Sequence, residues 1–232
     1  KLICNELDAT AFFGQSEKFG QEILTDDKVS GTMNAKVAIF AYWNAAGEFL
    51  YDKLRVLAGL NIRDGRLRDF EMLREFSTYV NVRDLMDIRF ATLENYLEIS
   101  DQRLYLPVMF IQSNAMNLTI SGEHTFENKM NYNMKVNAGQ VIANRFTGAS
   151  SKPQPARRNG WFNLYFNIDG TVEDYEVETA KREVQRAFLF SERRKDAVRQ
   201  RLEREFGSIE FYDEPREWQD EEYLDMRIEG SN

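Results

Sequence analysis

His124 and Cys4 are the chain's single histidine and single cysteine, so chemistry that needs either residue must pass through them. Glu123 and Glu127 flank the histidine in "GEHTFENK", but this spacing does not by itself make a catalytic pair. The stretch reads as a polar hairpin turn, where a solvated histidine has no task. A Cys/His zinc site lacks ligands, and one thiol cannot form an intramolecular disulfide. Asp64 and Asp69 bracket a turn, and turn geometry accounts for Asp64. Asn117-Leu118-Thr119 fits a glycosylation acceptor, yet it falls in a strand with a buried face. "GASSKPQPARRNG" lacks the lysine-serine/threonine ending of a phosphate loop. The expectation is no catalytic residue, no metal site and no cofactor, so the chain reads as not an enzyme. The formal charge of −8 argues against a general nucleic-acid binder, which needs a basic surface to displace counterions.

What remains is apolar pattern. In "MNLTISGEHTFENKMNYNMKV" (116–136), Met116, Leu118 and Ile120 alternate with polar residues, and so do Met130, Tyr132, Met134 and Val136. This predicts two strands and a turn, with one apolar face. Exposing those seven side chains would cost on the order of 10–20 kcal/mol, against a typical net stability of about 5–15 kcal/mol. The face must be covered by a second sheet, by helices, or by an apolar ligand. Alternation alone does not separate a closed sandwich from a sheet curled into a trough.

The same pattern recurs along the chain. Ile3, Leu7 and Ala9 weakly share a side at 1–13. Residues 29–43 place Met33, Ala35, Val37 and Ile39 on one face. Leu54, Val56, Ala58, Leu60 and Ile62 alternate next, and "RDGR" at 63–66 predicts a tight turn. Residues 71–86 change to helical spacing and predict short capping helices. Strands resume at 87–99, with Leu97 and Ile99 on one face, and at 103–111. There "LYLPVMFI" is apolar on both faces, as in a strand covered twice, with Pro107 marking a bulge or an edge. A helical turn is expected at 138–146 and a polar Pro/Ser-rich connection at 147–159. "WFNLYFNIDG" then puts Phe162, Leu164, Phe166 and Ile168 on one face.

From about 178 the period becomes 3.6. Ala180, Val184, Phe188, Val198, Leu202 and Phe206 form a stripe on a long helix. Its other face carries Arg182, Arg186, Arg193, Arg194, Arg199, Arg201 and Arg204. Such a face could rest on anionic headgroups, each basic residue contributing about 1 kcal/mol, although the acidic tail from Glu210 would weaken that. The chain shows no secretory leader. Its first residues read as a strand already under way, so a longer protein is expected. The longest apolar run, "VAIFAYW" at 37–43, is too short to span a bilayer.

The wording of residues 54–177 resembles the C-terminal region of AsmA-family proteins, in the form common in Bacteroidetes-type bacteria. The motifs are "I-x-D-G-x-L-x-D-F" at Ile62–Phe70 and "L-x-D-I-x-F-x-x-L-x-N" at Leu85–Asn95. "Y-x-P" at Tyr105–Pro107, "I-x-S-x-A-x-N-L-T-I-S-G" at Ile111–Gly122 and "GTVEDYEV" at 170–177 follow in order. The resemblance implies a periplasmic segment held to the inner membrane by a part absent from this chain, and a kinship with bridge-like lipid-transfer proteins. It implies a curled sheet whose apolar trough takes phospholipid acyl chains, and it offers no catalytic residues.

The fold expected is mainly β with some α: a curled antiparallel β-sheet, trough or half-barrel, with capping helices and a C-terminal amphipathic helix. Residues 1–177 form the β domain and 178–232 the helix and tail. The groove face would comprise Met33, Val37, Ile39, Val56, Leu60, Leu97, Ile99, Met116, Leu118, Ile120, Met130, Tyr132, Met134, Val136, Leu164, Phe166 and Ile168. The function expected is noncatalytic lipid binding or transfer serving outer-membrane biogenesis, with the basic face of the Arg-rich helix either simply solvated or resting on a membrane surface. The alternative is a closed β-sandwich acting as an interaction or structural module.

Overall fold

The computed structural model describes residues 1–15, 28–69, 86–137, 163–171 and 173–209. Nine strands run in sequence: β1 (Leu2–Asp8), β2 (Val29–Phe40), β3 (Arg55–Arg68), β4 (Asp87–Ser100), β5 (Arg103–Ile111), β6 (Leu118–Thr125), β7 (Lys129–Asn137), β8 (Asn163–Thr171) and β9 (Tyr175–Thr179). They form one sheet in chain order, every pair antiparallel, with β1 and β9 as its unclosed edges. A short helix, α1 (Ala9–Gln15), follows β1, and a long one, α2 (Lys181–Phe206), follows β9. The expected helices at 71–86 lie, except for Met86, outside the described residues. So do the turn at 138–146, the Pro/Ser-rich connection, Trp161, Phe162 and the acidic tail.

Alternation decides which side chains share a face. On β6, β7 and β8 the rows Leu118–Val136–Leu164, Ile120–Met134–Phe166 and Gly122–Tyr132–Ile168 run straight across the sheet. We call this face the inner one. Its apolar residues join those of β1 to β5 in a single buried cluster.

Towards β1 the rows are interrupted by bulges. The turn expected at 63–66 does not occur: β3 runs through it to Arg68. Asp64, at φ 50, takes the positive φ instead, and the β2–β3 register shifts opposite Gly31, between Ser30 and Thr32. An extra residue in one strand is how a bulge absorbs a turn-like dipeptide without ending the ladder. Ile3 and Leu7 do not share a side either. The β1–β2 register shifts between Cys4 and Leu7, leaving Leu7 against the core and Ile3 60 % exposed. Pro107 lies in an interior strand at a bulge, the β5–β6 register shifting between Leu106 and Met109.

The helix α2 takes the opposite, outer face. Its Val184 and Phe188 join Val108 of β5 and Tyr165 of β8, while Val198 and Leu202 join Ala38, Leu57 and Tyr96 of β2 to β4. Glu205 pairs with Lys1 at 2.8 Å, and the Lys36 ammonium donates to the Ser208 carbonyl. The helix thus lies across the strands, from β8 to β1. Its 26 residues span about 39 Å at 1.5 Å each, enough to cross the seven strand spacings of about 4.8 Å between β8 and β1. The second cover of β5 is therefore α2: Val108 packs beneath it, and its amide donates to Ser191 Oγ at 2.8 Å.

Candidate functional site

The inner face is the largest continuous chemical feature of the described residues, and it is apolar. Of the residues expected to line a groove, Met33, Val37, Val56, Leu60, Ile99, Met116, Leu118, Ile120, Met130, Tyr132, Met134, Val136, Phe166 and Ile168 are buried in one cluster. Leu97 and Leu164 pack against it half-buried. Ile39 stands apart: at the end of β2 it is 46 % exposed, on the rim rather than in the cluster. Met116 is also placed differently from the expectation, in the β5–β6 connection rather than in a strand, although it is fully buried.

Ile88 and Phe90 belong to this face and were not expected there. They are out of step with Leu97 and Ile99, because both β3 and β4 change the parity of their inward residues beside Asp64. Ile62 opposes Leu93, but Gly65 opposes Phe90 and Leu67 opposes Ile88. Only the positive-φ propensity of Asp-Gly hints at the switch. Two glycines make room for rings on this face. A Cβ at Gly65 would overlap the ring of Phe90, and one at Gly122 would overlap the ring of its partner Tyr132.

The sheet is thinnest between β4 and β5, which share a ladder only at Glu98–Ser100 and Arg103–Tyr105. Beyond it, side chains close the gap. Asn95 donates to the Pro107 carbonyl at 2.7 Å and accepts the Tyr96 amide at 2.8 Å. Asn114 accepts the Arg89 amide at 2.8 Å, and Asn117 accepts the Ser113 amide at 2.9 Å. Buried amides with their bonds satisfied cost little and hold one geometry. The β5–β6 connection is tucked in as an extension of the inner face, and Asn117 of the acceptor-like triplet is buried within it.

His124 is not a solvated turn residue. It lies in β6 in phase with Ile120 and Gly122, facing inward between Leu104 and Met130, and is 1 % exposed. Neither ring nitrogen has a hydrogen bond of good geometry. Burial pushes its pKa down, and the nearby Asn128 opposes this only in part. Tyr132, also inward, is held protonated by burial. Among the described residues no group of His, Cys, Asp and Glu is close enough to hold a metal ion, and no helix is long and apolar enough to cross a membrane.

Away from α2 the outer face carries a polar patch on β7 and β8. Asn131, Asn133, Asn167 and Asp169 bond to one another across β7 and β8. Under the helix, Glu98 accepts from Arg194 at 2.9 Å and from Arg201 at 3.2 Å. The Arg194 guanidinium also lies 3.3 Å above the ring of Tyr105. Two of the arginines expected on a free face therefore hold the helix to the sheet. Arg199 pairs with Asp196, and Arg182, Arg186, Arg193 and Arg204 face outward.

Comparison of the chain with protein-family models, with curated proteins and with solved structures finds no match.

Proposed function

We propose that the chain is a noncatalytic lipid-binding segment whose inner face receives the acyl chains of phospholipids. It would be part of a longer AsmA-like protein held in the periplasm by an inner-membrane anchor, and would serve lipid transport to the outer membrane. The observation that carries this reading is the division of labour between the faces. The long helix packs on the outer face, and the continuous apolar cluster lies on the other side of a single sheet. A methionine-rich lining suits chains of varied shape, because the unbranched thioether adapts to irregular partners. The exposed arginines of α2 would lie towards anionic headgroups.

Gentle purification followed by mass spectrometry of the extracted lipids tests this. Phospholipid is expected in wild-type protein and is expected to be lost in Met134→Asp and Leu118→Asp, with circular dichroism checking that each variant is folded. Wild-type extracts free of lipid would overturn the reading. A second reading, a structural or interaction module with a filled core, is favoured by one observation: Met116, Met134 and Ile168 are wholly buried by the protein's own atoms. It predicts lipid-free protein and weak binding of a hydrophobic dye.

A further inference from the structure

The connection between β2 and β3 departs from the next two turns at its end of the sheet. The pairs β4–β5 and β6–β7 are joined there by tight turns, with Asp101 and Glu127 at their tips. Residues 41–54 instead form a projecting hairpin, closed by a bridge between Trp43 and Phe49 and by the Leu50 amide donating to the Tyr42 carbonyl. Asn44 organises its tip, accepting the amides of Ala46 and Glu48 and donating to the Glu48 carboxylate. Phe49 stacks edge-on between Trp43 and Tyr51. On this framework Tyr42, Trp43 and Tyr51 are 51 %, 59 % and 63 % exposed.

We infer that this hairpin docks the chain on the interface of a zwitterionic bilayer. Several observations select that occupant. Tyrosine and tryptophan pair an apolar ring with a polar handle, which suits the headgroup boundary. The tip projects and is braced by its own hydrogen bonds, so little ordering is required on insertion. Glu48 and Asp52 balance Lys53 and Arg55, and the neighbouring tips are acidic, so an anionic surface would gain nothing here. The patch is also continuous with the inner face: Leu2 is the partner of buried Val37, Ile39 is the partner of buried Val56, and both are about half exposed on this rim. The choice of a bilayer over another apolar partner rests on the lipid reading of the inner face, but the two can fail separately.

The test uses the full chain with Trp161→Phe and Trp218→Phe, so that Trp43 is the one reporter. With phosphatidylcholine vesicles, Trp43 emission is expected to shift to the blue and to be quenched by lipids brominated along the acyl chain. Flotation of the parent chain on phosphatidylcholine vesicles is expected to be lost about tenfold or more in Trp43→Ser/Tyr51→Ser, and to change little with salt. An unshifted, unquenched Trp43 overturns the inference. So does binding that requires anionic lipid and falls with salt, which would place the contact on the arginines of α2. So does dimerisation in solution that the same double substitution abolishes, which would make the hairpin a contact between copies. Docking through Trp43 by protein whose extracts hold no lipid would sink the inner-face reading and leave the docking standing.

Discussion

The ring of Phe90 occupies the space where Gly65, its partner across β3 and β4, would carry a side chain. Phe90 is 2 % exposed and belongs to the main cluster. Gly65→Ala would force the ring out of a packed position, and overpacking of this kind costs about 1–3 kcal/mol. Phe90→Ala leaves a cavity instead, at about 3–5 kcal/mol. Urea denaturation should give both losses, and the double variant should cost less than their sum, because the alanine methyl partly fills the cavity.

Glu98 joins the two arginines of α2 to the sheet while its own side chain is only 9 % exposed. Glu98→Gln keeps the shape and removes the charge. Arg194 and Arg201 remain partly in water, so the expected loss is that of charge-assisted hydrogen bonds, about 1.5–3 kcal/mol. Hydrogen exchange should speed up in the second half of α2 before it does in β6 to β8. Uniform acceleration across the sheet would refute a local staple.

Asp87 and His124 both contribute to the acid limb of stability. Asp87 is bonded by Arg66 and Arg89, which hold its carboxyl below the usual range, Arg66 being the main cause. That contribution is present above the unfolded carboxylate value, about 3.9, and is lost as pH falls through the lower folded value. His124 is depressed by burial. The neutral ring carries no penalty above its unfolded value of about 6.5, and stability falls as pH drops from there towards the folded value. His124→Phe should flatten the upper step and Asp87→Asn the lower one, in thermal melts taken across the range.

Ile39 and Leu2 lie on the rim where the inner face meets solvent. Ile39→Asp should leave the melting temperature nearly unchanged, since surface substitutions are usually within about 0.5 kcal/mol. If the rim is the way in, loading with a fluorescent phospholipid should slow. Loading at the wild-type rate would show that lipid enters elsewhere.

The alternation of β6, β7 and β8 was legible because no bulge interrupts those strands. Counting by twos from Ile120 places Tyr132, Met134 and Phe166 on the same face, as found. The same count places His124 inward, and the polar neighbours in "GEHTFENK" concealed it. The count fails in β3 and β4, where Asp64 takes a positive φ inside the ladder and moves Ile88 and Phe90 to the other parity. Read locally, Asp-Gly is a turn; only the presence of Gly31 across the ladder makes it a bulge. The stripe on α2 was readable down to Val184 and Leu202. The side of the sheet it covers was not, apart from the doubly apolar Val108 of "LYLPVMFI". The hairpin at 41–54 leaves no signature of its own, because Tyr42 and Trp43 look like the end of the strand at 29–43.

The diagonal course of α2 gives the molecule a ruler. A meander tolerates gain or loss of a hairpin, since no strand depends on a distant one for its pairing. The helix removes that freedom: Phe188 must reach β8 at one end while Glu205 reaches Lys1 at the other. Duplicating any hairpin between them would separate the two anchorages by about 10 Å, so length variation is tolerable only outside the span that α2 measures.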